Sequence, residues 1–226
     1  MELASVSNAY RTDHARLQSI QQLFGATASS YRHNDVIYRQ GDPVSCFFLV
    51  MEGHVKLVSI GASGDEFIKS ILPVGEYFGP GVAFDTHALC EEMAIARGIT
   101  RILPIPSDAM EYSSDKAGEL NAGLIRSLAK QKRFQERRLE RMRLGDMRCR
   151  VAGMLQTLAV HYGGPCMHGH AIDFRMTQDE LANLVGASRQ VVSGILSEFK
   201  ALGIIGYTRS YICIEDMDRL EIRIEY

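Results

Sequence analysis

The chain has 226 residues, enough for one large or two modest domains that each bury a core. At 46% hydrophobic and 23% charged, with a formal net charge of −2, its composition is that of an ordinary soluble globular protein. No apolar run reaches membrane-spanning length and no basic-then-apolar leader opens the chain, so a cytoplasmic protein without a membrane partner is expected. Five cysteines, at 46, 90, 149, 166 and 213, are scattered without a CxxC. That pattern argues against a disulfide framework and against a clustered zinc or iron–sulfur site. An enzyme is the least expected class, because no nucleophile–base pair, metal triad or phosphate loop is present.

Residues 10–25 have modest helical character, with Leu17, Ile20 and Leu23 or Phe24 on one side. From residue 30 the texture becomes β-rich: "VIY", "CFFLVMEGHVKLVSI", "FIKSIL", "MAIAR" and "ITRILPI" follow in turn. Glycines at 41, 53, 64 and 75 fall 12, 11 and 11 residues apart, which predicts successive hairpins whose turns need a positive φ. A compact antiparallel sheet, rolled or sandwiched, is expected. Within it, "YFGPGVAFDTHALCEEMAIA" (77–96) reads as a turn built to hold a small ligand. It contains three acids and no Lys or Arg, an unpromising place for an anion. His87 and Cys90 near its tip could be imagined as haem ligands, against the simpler reading of an incidental pair on a surface loop.

After Pro104 and Pro106 the pattern turns helical to about residue 144. Ile125, Leu128, Lys132, Gln135, Leu139 and Met142 step by 3, 4, 3, 4, 3, the seam spacing of a coiled coil, so an intersubunit helix is expected. A buried core helix is the alternative for the leucines alone. Between Arg126 and Arg150 stand ten Lys/Arg against three acids, a basic patch that matters only beside a DNA-reading element. Asp146 then caps a new helix carrying Val151, Met154, Leu155 and Leu158, ended by Gly163, Gly164 and Pro165. "CMHGH" brings Cys166, His168 and His170 together with His161 upstream. The cluster is compatible with a transition metal, but a solvated connector is expected and no metal or cofactor is assigned. The organisation predicted is a sheet domain at 1–106, a helix at 107–145 and a C-terminal domain at 146–226.

The most informative segment is "TQDELANLVGASRQVVSGILSEFKALGII". Thr177 and Glu180 form a capping box opening a short helix. Ala182 is small where a second helix crosses, Gly186 lies at +4 for the turn, and Val192 and Ile195 at +10 and +13 face the core. That is the spacing of a helix-turn-helix, which sets the N-terminal part of its second helix into the major groove of double-stranded DNA. Arg189, Gln190, Ser193 and Ser197 are left pointing outward. Arginine pairs bidentately with guanine and glutamine with adenine. Thr177, Gln178 and Ser188 suit phosphate contacts. "GIIGYTRSYICIED" reads as a hairpin whose tip, at Arg209 and Ser210, forms a wing against the DNA backbone. Over 177–211 three basic residues meet three acids, so the reading surface is neutral, and a purely structural helix pair is the competing view.

A glycine-punctuated β-roll, a long dimerisation helix and a C-terminal winged helix-turn-helix, an α+β architecture in that order, resemble the cyclic-AMP receptor protein/FNR superfamily of bacterial transcription regulators. The likeness rests on "VIYRQGDPVSCFFLVMEGHVKLV", "GEYFG", "LGDMRCRVAGMLQTLA" and "SRQVV", and covers nearly the whole chain. Arg189 matches the family arginine, whereas Gln190 stands where a glutamate is usual and Gly194 where a basic residue often sits, so a different operator is implied. The resemblance implies a homodimer on a pseudo-palindromic operator, contact with RNA polymerase, and a small-molecule effector held near Tyr77, Phe78, Gly79, Glu92, Met93, Gln135 and Glu136. In nucleotide-binding relatives the cassette resembles FGE followed by RSA. Here Pro80 replaces the glutamate, Glu92 stands at the arginine position, and Gln135 and Glu136 align with the Thr-Ser pair that meets the base. A carboxylate repels a phosphodiester and proline lacks an N–H, so cyclic AMP is not the expected effector. FNR-type oxygen sensing needs an N-terminal cysteine cluster, and no cysteine precedes Cys46. Two rival readings stay open: a DNA binder with no effector, and a small-molecule sensor whose winged helix meets a protein partner.

Overall fold

The computed structural model describes residues 14–43, 46–62, 64–79, 89–107, 109, 115–167, 169–172, 176–208 and 211–224. The chain divides into two compact units, Arg11–Lys132 and Arg133–Tyr226.

The first unit opens with helix α1 (His14–Phe24), whose Leu17 and Ile20 are buried as their spacing predicts. Leu23 and Phe24 have side chains outside the described set. Six strands follow: β1 (Ser29–Tyr31), β2 (Val36–Tyr38), β3 (Cys46–Ile60), β4 (Glu66–Leu72), β5 (Tyr77–Phe78) and β6 (Met93–Pro106). They form one antiparallel sheet ordered β1-β6-β3-β4, with β2 on β6 and β5 on β3. The glycines at 41, 53, 64 and 75 all have positive φ. Gly53 is nevertheless not a turn. It lies inside the 15-residue β3, where the β3–β6 register shifts on either side of Glu52, and a Cβ there would strike the Ile99 carbonyl and the Thr100 hydroxyl. It is a bulge that bends a long strand, and the close approach of β6 excludes any side chain. "MAIAR" and "ITRILPI", separate pieces by eye, are one strand. Among the described residues one core gathers around Phe47, Leu49, Leu103 and Ile105, and another around Val50, Val55, Leu57 and Ala94.

Helix α2 runs Asp115–Leu144, whereas helical texture alone would start it at 107; Ser107 and Ala109 belong to a short 3₁₀ turn. The proline-free stretch was necessary for helix but did not mark its first residue. Leu120 and Leu124 are buried and join the roll's core.

In the second unit, α3 (Met147–Tyr162) starts on Asp146, whose side chain accepts from the Cys149 N–H at 2.8 Å. Segment 163–172 is not a connector: β7 (Gly163–Cys166) and β8 (Gly169–Ile172) pair as a hairpin. β8 in turn pairs with β10 (Ile212–Ile214), and β10 with β9 (Ile205–Tyr207), giving the sheet order β7-β8-β10-β9. Glycine and histidine disguised the ladder because it is held by backbone bonds rather than an alternating apolar face. Helices α4 (Gln178–Val185), α5 (Arg189–Ala201) and α6 (Met217–Ile222) complete the unit. Among the described residues no helix is long and apolar enough to cross a membrane.

Candidate nucleic-acid interface and ligand cassette

The helix pair α4–α5 is set by local chemistry at three points. At the entrance to α4 the Thr177 hydroxyl accepts from the Glu180 N–H at 3.1 Å, while the Glu180 carboxylate accepts from the Thr177 N–H at 3.0 Å. This reciprocal pair occupies two of the donors a helix start leaves over. At the turn Gly186 takes φ 69, ψ 46, the left-handed region that any Cβ penalises. At the entrance to α5 the Ser188 hydroxyl accepts from the Val191 N–H at 3.3 Å. Val192, Ile195, Leu196 and Phe199 are buried and fix which side of α5 faces inward.

Arg189 is 67% exposed, and its Nη1 lies 3.7 Å from the equally open Asp179 carboxylate. Such a pair contributes little and releases the guanidinium readily. Gln190 and Ser197 are exposed; Ser193 is half-buried, and its carbonyl accepts from the Ser197 hydroxyl at 2.9 Å. That hydroxyl also lies 3.3 Å from the Tyr207 hydroxyl on β9. Gln178 is half-buried. The hydroxyls of Thr177 and Ser188 are engaged in capping. Arg209 and Ser210 lie outside the described residues. Val191, which the sequence reading did not name, is exposed on the first turn of α5.

The basic stretch needs correction. Lys130 donates to Glu76 at 3.1 Å. Arg138 is buried, donating to the Asn183 carbonyl at 3.3 Å, and desolvation lowers its pKa. Arg141 lies over Gly153, donating to its carbonyl at 3.0 Å and to the Thr157 hydroxyl at 3.2 Å. Arg148 meets both Glu198 oxygens at 3.0 Å, and Arg150 caps the carbonyls of Arg141 and Met142. At least half of the ten cations are therefore engaged within the fold. Spacing cannot separate a solvated charge from one that closes a helix end.

On α2, Ile125 and Leu139 are 65% and 67% exposed, and Leu128 and Met142 stand well open with Lys132 and Gln135 exposed between them. The core side of the same helix is Leu120, Leu124 and Ser127. The stepped residues are thus not the ones buried in the fold.

In the cassette, Tyr77 and Phe78 are buried, and Phe78 stacks on Phe48 at 5.2 Å and Tyr38 at 6.1 Å. Gly79 has φ +109, and a Cβ there would press on the Phe48 ring at 3.0 Å. Pro80 and His87 lie outside the described residues. Glu92 has its charge answered from within: Lys69 Nζ is 2.7 Å from one oxygen and the Tyr38 hydroxyl 3.4 Å from the other. Burial, then the Glu92 charge, pushes the Tyr38 hydroxyl far above its ordinary pKa, so it stays a donor. Met93 is half-buried at the head of β6, while Gln135 and Glu136 are exposed and belong to the second compact unit. Lys69 was missed by sequence reasoning; a lysine inside the apolar strand "FIKSIL" was the available signal. A second missed group is the buried Glu76, which accepts from Ser127 and Lys130. Ser127 accepts from the Tyr77 N–H at 3.0 Å, and Gln131 donates to the Tyr77 carbonyl at 2.8 Å. Together these bonds tie the cassette's first strand to α2.

Cys90 is buried and its thiol is pushed up to about 11, by burial first and then by Asp42 and Glu92. His168 of the Cys166–His170 cluster lies outside the described residues; among the described residues no three His, Cys, Asp or Glu side chains converge.

Two family models match: a cyclic nucleotide-binding domain over residues 28–112 and a Crp-like helix-turn-helix domain over 149–223. The chain belongs to the CRP/FNR superfamily of transcription regulators. It is 27% identical to a CRP-like cAMP-activated global transcriptional regulator of Mycobacterium tuberculosis, over 83% of each chain. It is 23% identical to a global nitrogen regulator of Nostoc, covering 84% of this chain and 86% of that protein. A CRP/FNR-family transcriptional regulator from Thermus thermophilus superposes with a TM-score of 0.72 at 25% identity, over 88% of this chain and 99% of that one. These relatives are regulators of transcription rather than enzymes. Membership confirms the β-roll, long helix and winged helix-turn-helix architecture expected of this CRP/FNR chain.

Proposed function

We propose that this regulator is a homodimer that binds a pseudo-palindromic DNA site in a sequence-specific manner and is not gated by cyclic AMP. The observation that carries the DNA-binding part is the capped α5, whose first turn presents Arg189, Gln190 and Val191 while its opposite side is buried. Arg189 reads guanine and Gln190 adenine by bidentate pairing, and Val191 adds a contact for a thymine methyl. Thr177 and Ser188 cap the two helices beside the phosphates, and the wing at Arg209 and Ser210 meets the backbone. Dimerisation uses the open Ile125–Met142 stripe of α2. Half-sites then fall about one duplex turn apart, roughly 34 Å.

Independence from cyclic AMP rests on Glu92. Its carboxylate stands where a phosphodiester would need a cation, and Lys69, the nearest cation, is already bonded to it. Seating the phosphate would require breaking that pair and burying two like charges together. Calorimetry with cyclic AMP and cyclic GMP tests this: no heat at micromolar nucleotide is expected, and micromolar binding would overturn it. A second reading, a protein partner for the winged helix, is favoured by the neutral charge of 177–211. An Arg189→Ala chain that binds promoter DNA as tightly as the original would support it.

A further inference from the structure

We propose that Cys166 and Cys213 form a reversible intramolecular disulfide when a hydroperoxide oxidises the protein, making this pair a redox modification site in the C-terminal unit. Their Sγ atoms lie 2.8 Å apart, although the residues are 47 positions distant and sit on different strands, β7 and β10, with β8 between. Cys166 pairs with Gly169 and Cys213 with Ala171, so β8 carries only small residues at the two paired positions. Bringing two sulfurs this close leaves only a small approach to a covalent bond.

The two thiols differ in access, which orders the chemistry. Cys166 is half-exposed, next to the fully open Met167, whereas Cys213 is buried. Burial, together with the neighbouring Cys166 sulfur, pushes the Cys213 thiol up to about 12, so it is not the first attacker. The Cys166 thiolate attacks one peroxide oxygen; the O–O bond breaks, the other oxygen leaves as water or alcohol, and Cys166 becomes a sulfenic acid. Cys213 sulfur then attacks the sulfenic sulfur. The S–S bond forms, the S–O bond breaks, and the departing hydroxide takes the Cys213 proton as water. Two thiols have lost two electrons and two protons, and one hydroperoxide has been reduced. Cellular dithiols reverse the step by exchange.

The closed loop would enclose β8, α4, α5 and β9, the whole helix-turn-helix with half of its wing. Cross-linking a loop of this length restricts the unfolded chain and raises stability. The inference stands apart from the DNA-binding proposal, because its readouts are covalent.

The experiment treats the full chain with hydrogen peroxide, alkylates it, and maps peptides without reduction. Expected are one linked Cys166–Cys213 peptide, loss of two of the five thiols, recovery of both on adding dithiothreitol, and a Tm increase of roughly 5 °C or more. Cys213→Ser should trap Cys166 as a sulfenic acid captured by dimedone. Should that variant fail to fold, Cys166→Ser, at the half-exposed position, should keep the native circular dichroism and lose the Tm rise. All five thiols surviving peroxide would overturn the proposal. So would Cys166 passing to sulfinic acid with Cys213 still reduced, or linkage between two chains.

Discussion

The ligand cassette of the roll and the helix pair of the C-terminal unit both bring polar side chains toward a surface. They differ in what those side chains already hold. In the cassette the Glu92 carboxylate is bonded to Lys69 at 2.7 Å and approached by Tyr38, and the buried Glu76 is bonded to Ser127 and Lys130. On α5 the Ser188 cap spends its hydroxyl on the backbone, and among the described residues the ion pair of Arg189 is a long, solvent-exposed one with Asp179. A fold can therefore persist while one of its sites is rewired and the other stays open for a partner. The fold alone does not distinguish the two outcomes; the partners of each charge do.

The largest way to disturb this contrast is to remove the proposed dimer, on which the proposed two-fold reading of DNA depends. Leu128→Glu combined with Leu139→Glu puts four carboxylates into the proposed seam. Each lost leucine contact is worth about 1.5–3 kcal/mol, so the dimer dissociation constant should rise at least about 100-fold by sedimentation equilibrium. An unchanged dimer would move the interface away from the α2 stripe. Next comes Arg189→Ala, expected to cost about 1–3 kcal/mol, roughly 5- to 150-fold, in operator affinity by fluorescence anisotropy, with little change on random duplex. Equal loss on both duplexes would recast Arg189 as a phosphate contact.

Smaller effects test the scaffold. Gly186→Ala forces a Cβ into the left-handed region and should destabilise the chain by about 1 kcal/mol in urea unfolding. Thr177→Ala removes the capping box at a similar cost of about 1 kcal/mol. Smallest is Glu92→Gln, which removes the charge partner of a partly exposed lysine and should cost less than about 1 kcal/mol. If that variant gains micromolar affinity for cyclic AMP, Glu92 is the gate that excludes the nucleotide.

Much of the architecture was legible because it rests on residues whose chemistry is local. Gly186 and the Thr177–Glu180 box specify a turn and a helix start from their own backbone needs, and the positive φ of Gly64 follows from the β3–β4 hairpin it closes, whereas Gly41 and Gly75 sit in turns between strands that do not pair with each other. What escaped depended on long-range pairing. The β7–β8 hairpin is recruited to the sheet by β10, about forty residues on, with no alternation of its own to announce it. Gly53 looked like a turn because a bulge and a turn ask for the same φ. In the candidate site, the outward positions of α5 followed from its buried face, whereas the Lys69–Glu92 bond joins two strands and no spacing rule reports it. Arg138, Arg141 and Arg150 show the same limit: a cation that closes a helix end or crosses to a carbonyl reads, in one dimension, like one in solvent.

Sequence-specific, nucleotide-independent DNA binding is tested most directly by selecting DNA from fragmented genomic sequence with the purified chain in nucleotide-free buffer, and sequencing what is retained. Enrichment of a two-fold symmetric motif with half-sites one helical turn apart is the predicted result. Retention without any shared motif, or a motif that emerges only after cyclic AMP is added, would contradict it.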